Sequence, residues 1–298
     1  MRVPTLSISD AAISQIENLT GSQAQLQKQV STGQRLFLPE DDPAAMNRLL
    51  NIDNQSRQVQ QYLDNATVAQ NLADSTYSAL SQFSSLSTRA RELATLGSGT
   101  NGVDANKAYA TEVNQLIEQA VQTGNSQFGA NYLFAGTALT TTPYTVTRDA
   151  TGQITAATYA GDTNQSSIAL SSGTSVSAGS SGATNTGLRD FINNLVALRD
   201  GLAASDSPAI SAANASLAIT ETTISDATSE NGAVQLRIQS AQLQLTASAQ
   251  NLGQLASKES SADLPSTIVK LNQAGVAYQA ALSSVSKILQ SSLLDYIK

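Results

Sequence analysis

The feature that most restricts this chain is an apolar seam in its C-terminal half. Positions 210, 213, 217, 220, 224, 227, 231, 234, 238, 241, 245, 248, 252 and 255 alternate by 3 and 4, and eleven of the fourteen are apolar. That spacing holds one narrow stripe on one helix face and calls for another helix alongside it. At 1.5 Å per residue the helix runs roughly 70 Å. Pro208 stands at its start, where proline is tolerated. Gly232 lies inside it, at a cost of about 1 kcal/mol relative to Ala, unless a partner backbone comes close there.

Similar runs flank this one. After "SSADLP", Ile268, Leu271, Gly275, Tyr278, Leu282, Val285, Leu289, Ser292 and Tyr296 repeat the spacing, so Pro265 begins a new helix. Near the N-terminus, Ile13, Ile16, Leu19, Gln23, Leu26 and Val30 predict a helix over about residues 8 to 31. A second stripe runs from Leu49 through Leu63, Leu72, Phe83 and Leu93 to "GSGTNG". It drifts by one position, as expected when a 3.6-residue helix is read against a 3.5 repeat. Tyr109, Val113, Leu116 and Ala120 mark a further helix, and Leu188, Phe191, Leu195, Leu198 and Leu202 another.

Residues 137 to 187 break the pattern. They hold three charged residues, Arg148, Asp149 and Asp162, among many Thr, Ser and Gly. "YTVTRDATGQITAATYAG" reads as two alternating strands around the turn "DATG", and "SSIALSSGTSVSAG" as one or two short strands. "AGSSGATNTG" reads as a flexible return. The fold class is therefore mainly α: a long antiparallel helical coiled-coil bundle from both chain ends, with a small β-rich insert in the middle. Packed side by side, such arms would bring the chain ends to one end of a rod and the insert to the other.

Composition removes several kinds of chemistry. The 298 residues include no Cys and no His, so thiolate nucleophiles, disulfides, cysteine or histidine metal sites and a Ser–His–Asp triad are excluded. The net charge is −7 with no basic tract, so nucleic acid is not an expected partner. No run of 18 apolar residues is present, so no membrane span is expected, and the N-terminus shows no cleavable secretory signal. No cofactor is expected.

One short stretch gathers acids in a chain that uses charge sparingly: "STGQRLFLPEDDPAAM", residues 31 to 46. Glu40, Asp41 and Asp42 could suggest a metal or catalytic cluster, but the order Asp42–Pro43 is a helix start. The Asp accepts from free N–H groups of the first turn, and Pro suits the first helical position. Glu40 and Asp41 gain from the positive end of the helix dipole. Gly33 fits a helix C-terminus, so the stretch is a stop and a restart. Arg35 is either a solvated loop charge or the partner of an acid or a neighbouring subunit. "GNSQFGANYLFAGT" carries three aromatics and reads as a core anchor near the insert, and "RARELA" as a solvated helix face.

The terminal helices have apolar seams, but their other faces are Ser, Gln and Ala with few charges. A small-residue, low-charge face suits burial among several helices. Residues 1 to 35 and 266 to 298 are therefore expected to be poorly ordered in the single chain and to become helical on assembly.

Taken together, the motifs resemble the bacterial flagellin and hook-associated family. They are "MRVPT"; the STG…DDP block at Ser31, Thr32, Gly33, Arg35, Asp41, Asp42 and Pro43; "RARELA"; "NYLFAGT" at Tyr132, Phe134, Ala135 and Gly136; "YAGD" at Tyr159, Gly161 and Asp162; "NGAVQLR" at Gly232, Ala233 and Arg237; and the C-terminal segment ending in "LLDYIK", with Tyr296. Glu40 follows Pro39 where family members at the hook–filament junction have Ser, and Pro43 stands where filament flagellins more often have Ala. The second departure favours the junction members. The resemblance implies a structural, non-enzymatic protein, exported unfolded to the flagellum outside the cell. It would assemble with copies of itself, with another hook-associated protein on the hook side and flagellin on the filament side, and be escorted by an export chaperone. The expected segments are assembly helices at 1–36 and 265–298, rod arms at 37–136 and 188–264, and the insert at 137–187. A filament flagellin, or a secreted coiled-coil adhesin or effector, are the alternatives.

Overall fold

The computed structural model describes the backbone of residues 3–99 and 102–296, and the side chains of residues 10–99 and 102–287. Six helices and six short strands are found among them: α1 (Val3–Thr32), α2 (Pro43–Gly97), α3 (Val103–Gly124), β1 (Gln127–Phe128), β2 (Asn131–Tyr132), β3 (Tyr144–Arg148), β4 (Ile154–Tyr159), β5 (Ile168–Ala169), β6 (Ser175–Val176), α4 (Gly182–Ala204), α5 (Ser207–Ser260) and α6 (Leu264–Tyr296). The chain is mainly α with a small β insert. It divides into two units, one made of residues 1–57 and 249–298 and the other of residues 58–248.

In the unit formed by residues 58–248, α3 and α4 approach closely, and the inner faces of α2 and α5 close the core. Phe83 of α2 is fully buried and meets two rings edge-on: Phe134 at 6.1 Å and 87°, and Phe191 of α4 at 5.9 Å and 83°. Edge-to-face contacts of this kind add to plain area burial. The buried residues of α5 are Ile210, Ala213, Leu217, Thr220, Ile224, Ala227, Asn231, Ile238 and Leu245, all of them positions of the predicted seam. A smaller cluster joins Ala66, Ala69 and Ala73 of α2 to Ile238 and Leu245, and is roofed by Leu170, Val176 and Ala178. Alanines on α2 let the other elements come near without leaving voids.

The strands make three separate antiparallel pairs, β1–β2, β3–β4 and β5–β6. The β3–β4 hairpin turns on Asp149, whose Oδ1 accepts from Thr151 N–H at 2.8 Å and Gln153 N–H at 3.0 Å. Two asparagines stand in for missing neighbour strands. Asn125 accepts from Tyr144 N–H and donates to Tyr144 C=O, both at 2.9 Å. Asn193 of α4 does the same for Ala157, at 2.8 and 3.0 Å. The open edges are capped there by side-chain amides. The buried Arg199 guanidinium donates to Ile154 C=O at 2.6 Å and holds the hairpin to α4.

Two local readings differ from what the structure shows. α4 begins at Gly182, inside the segment expected to be a flexible return, with Ser181 accepting from Thr184 N–H as the N-cap. The charged side chains of "RARELA" bridge helices rather than merely facing solvent. Arg89 of α2 pairs with Glu112 of α3 at 2.6 Å, and Arg91 pairs with Glu221 of α5.

In the unit formed by residues 1–57 and 249–298, α1 and α6 lie close along each other. In the single chain both terminal segments are thus already helical over the described residues, because each seam finds part of its cover on the other.

Candidate functional site

The site begins at the stop between α1 and α2. Gly33 takes a φ of +70° and its N–H donates to Gln29 C=O at 2.9 Å, so α1 ends in a left-handed residue that L side chains adopt only with strain. Ser31 and Thr32 turn their hydroxyls back onto Lys28 C=O at 3.0 and 2.7 Å. The restart is built by two acids with separate tasks. Asp42 Oδ1 accepts from Ala45 N–H at 3.0 Å, a true N-cap, and Pro43 is the first residue of α2. Asp41 does not serve the helix. Its Oδ2 accepts from Phe37 N–H at 2.8 Å and Leu38 N–H at 3.0 Å and folds the loop onto itself, while Gln25 of α1 donates to its Oδ1 at 3.2 Å.

These bonds move charge equilibria as expected. The Leu38 and Phe37 amides hold the Asp41 carboxyl below its ordinary range, and the Ala45 amide with the Arg35 guanidinium does so for Asp42. Two acids already accepting backbone N–H groups are poorly placed to serve a metal or a reaction. Among the described residues no group of three or more Asp or Glu side chains is arranged to hold a metal ion.

Arg35 has acids on both sides. Its Nη1 donates to Asp42 at 3.2 Å, its Nη2 to Glu259 C=O at 3.2 Å, and its backbone N–H to Ser260 C=O at 2.7 Å. A single antiparallel bridge, Gln34 to Ser261, joins the α1–α2 loop to the α5–α6 junction. Arg48 and Glu259, neither singled out by the sequence, complete the junction: Arg48 Nε and Nη2 grip both Glu259 carboxylate oxygens at 3.0 and 2.9 Å. No local signal could have linked two surface charges 211 positions apart.

The insert motifs form a second constellation. Phe134 is buried, Gly136 takes a φ of +68°, and Asp162 N–H donates to Ala135 C=O at 2.9 Å. The Tyr159 hydroxyl lies 3.0 Å from Phe134 C=O and 2.8 Å from Asp162 C=O, and accepts from Asn185 at 3.1 Å. Gly161 lies beneath the Tyr159 ring, where a Cβ would come within 2.5 Å of the hydroxyl. Thr137 and Asn164 donate to the Asp162 carboxylate and hold its carboxyl down at about 2. "FAGT" and "YAGD" therefore interlock as the two halves of one joint. Tyr132, on β2, is half-buried and its hydroxyl accepts from Thr142 at 3.1 Å.

The remaining motif residues stand apart. Arg237 of α5 reaches Ser175 C=O at 3.3 Å and ties the helix to β6. Gly232 has open space where a Cβ would go, so no backbone crosses it within the chain. The side chain of Tyr296 lies outside the described residues.

Residues 3–138 match the bacterial flagellin N-terminal helical region. Over 138 residues, 46% of the chain, the sequence is 30% identical to flagellar hook-associated protein 3 of Salmonella typhimurium, and that span is 44% of the relative. The chain thus covers less than half the length of the curated relatives it matches. A Vibrio parahaemolyticus structure, assigned to the flagellar hook-associated proteins, superposes at a TM-score of 0.66 with 16% identity, over 74% of this chain and 100% of that one. Bacillus cereus FlgL superposes at 0.60 with 19% identity, over 70% of this chain and 99% of that one. At those identities the solved structures speak to the fold alone. The resemblance read from the motifs stands: residues 3–138 match the bacterial flagellin N-terminal helical region, and the chain is similar to flagellar hook-associated protein 3.

Proposed function

We propose that this chain is a structural subunit of the bacterial flagellum that joins hook to filament by helical self-assembly and carries out no catalysis. The observation that carries the reading is the apolar surface left uncovered after α1 and α6 have paired. Ile13 on α1 is 50% exposed, and on α6 Ile268, Val269, Val276 and Leu282 range from 43% to 68%. On α5, Leu236 and Leu243 are 68% and 74% exposed, seven residues apart and so on one face. Apolar side chains in this arrangement mark surfaces meant for partners.

In this reading the terminal segments, 1–36 and 265–298, are the assembly helices. Copies of the same chain cover their free faces, another hook-associated protein meets the assembly on the hook side, and flagellin meets it on the filament side. An export chaperone would shield the same faces before export, and the mature location is extracellular. The similarity to flagellar hook-associated protein 3 favours the junction over the filament itself.

Deleting the gene tests the reading. Cells with intact hooks and no filaments are the expected outcome. Cells that still swim with normal filaments would overturn it.

A further inference from the structure

The unit formed by residues 58–248 has an apolar pocket that its own chain leaves open. Val68 and Leu72 of α2, with Phe128, Tyr132, Leu133 and Ile168, line a cavity of about 200 Å³, and none of its lining residues is charged. An apolar cavity near this size accepts one aliphatic or small aromatic group. Tyr132 is one of the insert's motif residues. Its hydroxyl is engaged by Thr142, and its ring is a wall of the pocket. Val68, at the rim, is 51% exposed.

The same unit carries a matching projection, the exposed Leu236 and Leu243 of α5. Each stands two residues before a buried position, Ile238 or Leu245, and so about 200° around the helix from it. The leucines therefore point away from the cluster that Ile238 and Leu245 share with Ala66, Ala69 and Ala73 of α2. Val68 is turned about 100° or more from each of those alanines, so the pocket opens on another side of the unit. Projection and pocket nevertheless share a level. Thr76 and Leu80 stand beside Val234 and Asn231, and the alanines beside Ile238 and Leu245. The helices α2 and α5 thus run antiparallel, and the span from Leu236 to Leu243 is level with α2 around Val68 and Leu72. No charge has to be buried there: Arg237, beside Leu236, is turned to Ser175 C=O, and the next charged residue along α5 is Lys258.

We propose that this pocket receives Leu243 of a second copy, with Leu236 packed beside it, so that the back of α5 in one copy docks on the pocket of the next. This deepens the reading of the chain as a self-assembling flagellar subunit and rests on it. Because projection and pocket lie on different sides of one unit, every contact leaves one of each free for a further copy. A head-to-tail contact of this kind generates a ring or a helical array rather than a closed pair. The shared level sets the copies side by side rather than stacked. The chain supplies both halves of the contact, and this is what assigns the pocket to a second copy rather than to a hook or filament protein. One leucine in one pocket is too small a contact to hold two dilute copies together, so it forms where copies are already lined up.

The chain has no cysteine, so introduced thiols find no native partner within it. Flagella isolated from cells carrying Val68→Cys together with Leu243→Cys are oxidised, and the chain is followed by immunoblot. A ladder of linked copies is expected from the double variant and none from either single variant. A double variant that stays unlinked overturns the contact, and is the outcome if a hook or filament protein fills the pocket. Dimers from Leu243→Cys alone overturn it too, because they place two α5 helices back to back. Should the double variant fail to assemble, Leu243→Glu carries the test. That side chain is exposed, so the melting of the dilute chain should not change, whereas a carboxylate would have to enter an uncharged pocket and most cells should lose their filaments. Normal filaments on those cells overturn the contact. The reading of the chain as a flagellar subunit fails separately, if antibody finds it nowhere on the flagella of unmodified cells, and the contact then falls with it.

Discussion

Asp162 closes off the space beside Gly136: its carbonyl oxygen lies 2.0 Å from where a Cβ on Gly136 would stand. The backbone there is also left-handed, at a φ of +68°. Gly136→Ala therefore meets both strain and a backbone collision. We expect it to cost at least about 2 kcal/mol in urea unfolding.

Gly232 is the opposite case. It lies in the middle of α5 with open space around its Cα, so Gly232→Ala should stabilise the single chain by about 0.5–1 kcal/mol. A loss of stability in dilute solution would show that the helix is not what the glycine serves. A gain there with impaired assembly would place a neighbouring copy against that face.

Asn193 satisfies both backbone polar groups of Ala157. Asn193→Ala leaves an N–H and a C=O without partners on a strand edge and should cost about 1–3 kcal/mol. Hydrogen exchange at Ala157 checks it directly, because the amide should change from protected to fast.

Phe83 is buried with two edge-on aromatic neighbours. Phe83→Ala should cost about 3–5 kcal/mol, enough to lower the thermal midpoint by many degrees. The loss should appear as one cooperative shift in the unit formed by residues 58–248.

The Asp162 carboxyl, held at about 2 by Thr137 and Asn164, makes the insert sensitive to acid. Its folded-state value is lowered, so its contribution is present above the ordinary 3.8 and fades as pH falls toward 2. Insert amide resonances followed by NMR should lose dispersion over that window. Asp162→Asn should flatten the pH dependence.

The helical pattern was legible because the seams repeat. Every buried position of α5 falls on the spacing read from residues 210 to 245, since one narrow face decides that helix. The start of α4 was hidden by its glycines. Gly182 and Gly187 look like flexible-loop residues, but a Cβ on Gly182 would come within 2.5 Å of Thr163 C=O, and one on Gly187 within 2.8 Å of Thr223. They are there so that neighbours can pack closely. The two-residue strands β1 and β2 are too short to show any alternation. The acids of "PEDDP" were readable as a helix start in the case of Asp42. The loop role of Asp41 and the Arg48–Glu259 fork depend on how the chain returns on itself, which no local window contains.

The central claim is that the uncovered apolar faces of this chain are filled by identical copies between hook and filament. Gold-labelled antibody against the insert, applied to isolated flagella and viewed by electron microscopy, tests it most directly. The account predicts a single narrow band of label where the hook meets the filament. Label spread along the whole filament, or absent from the flagellum, would contradict it.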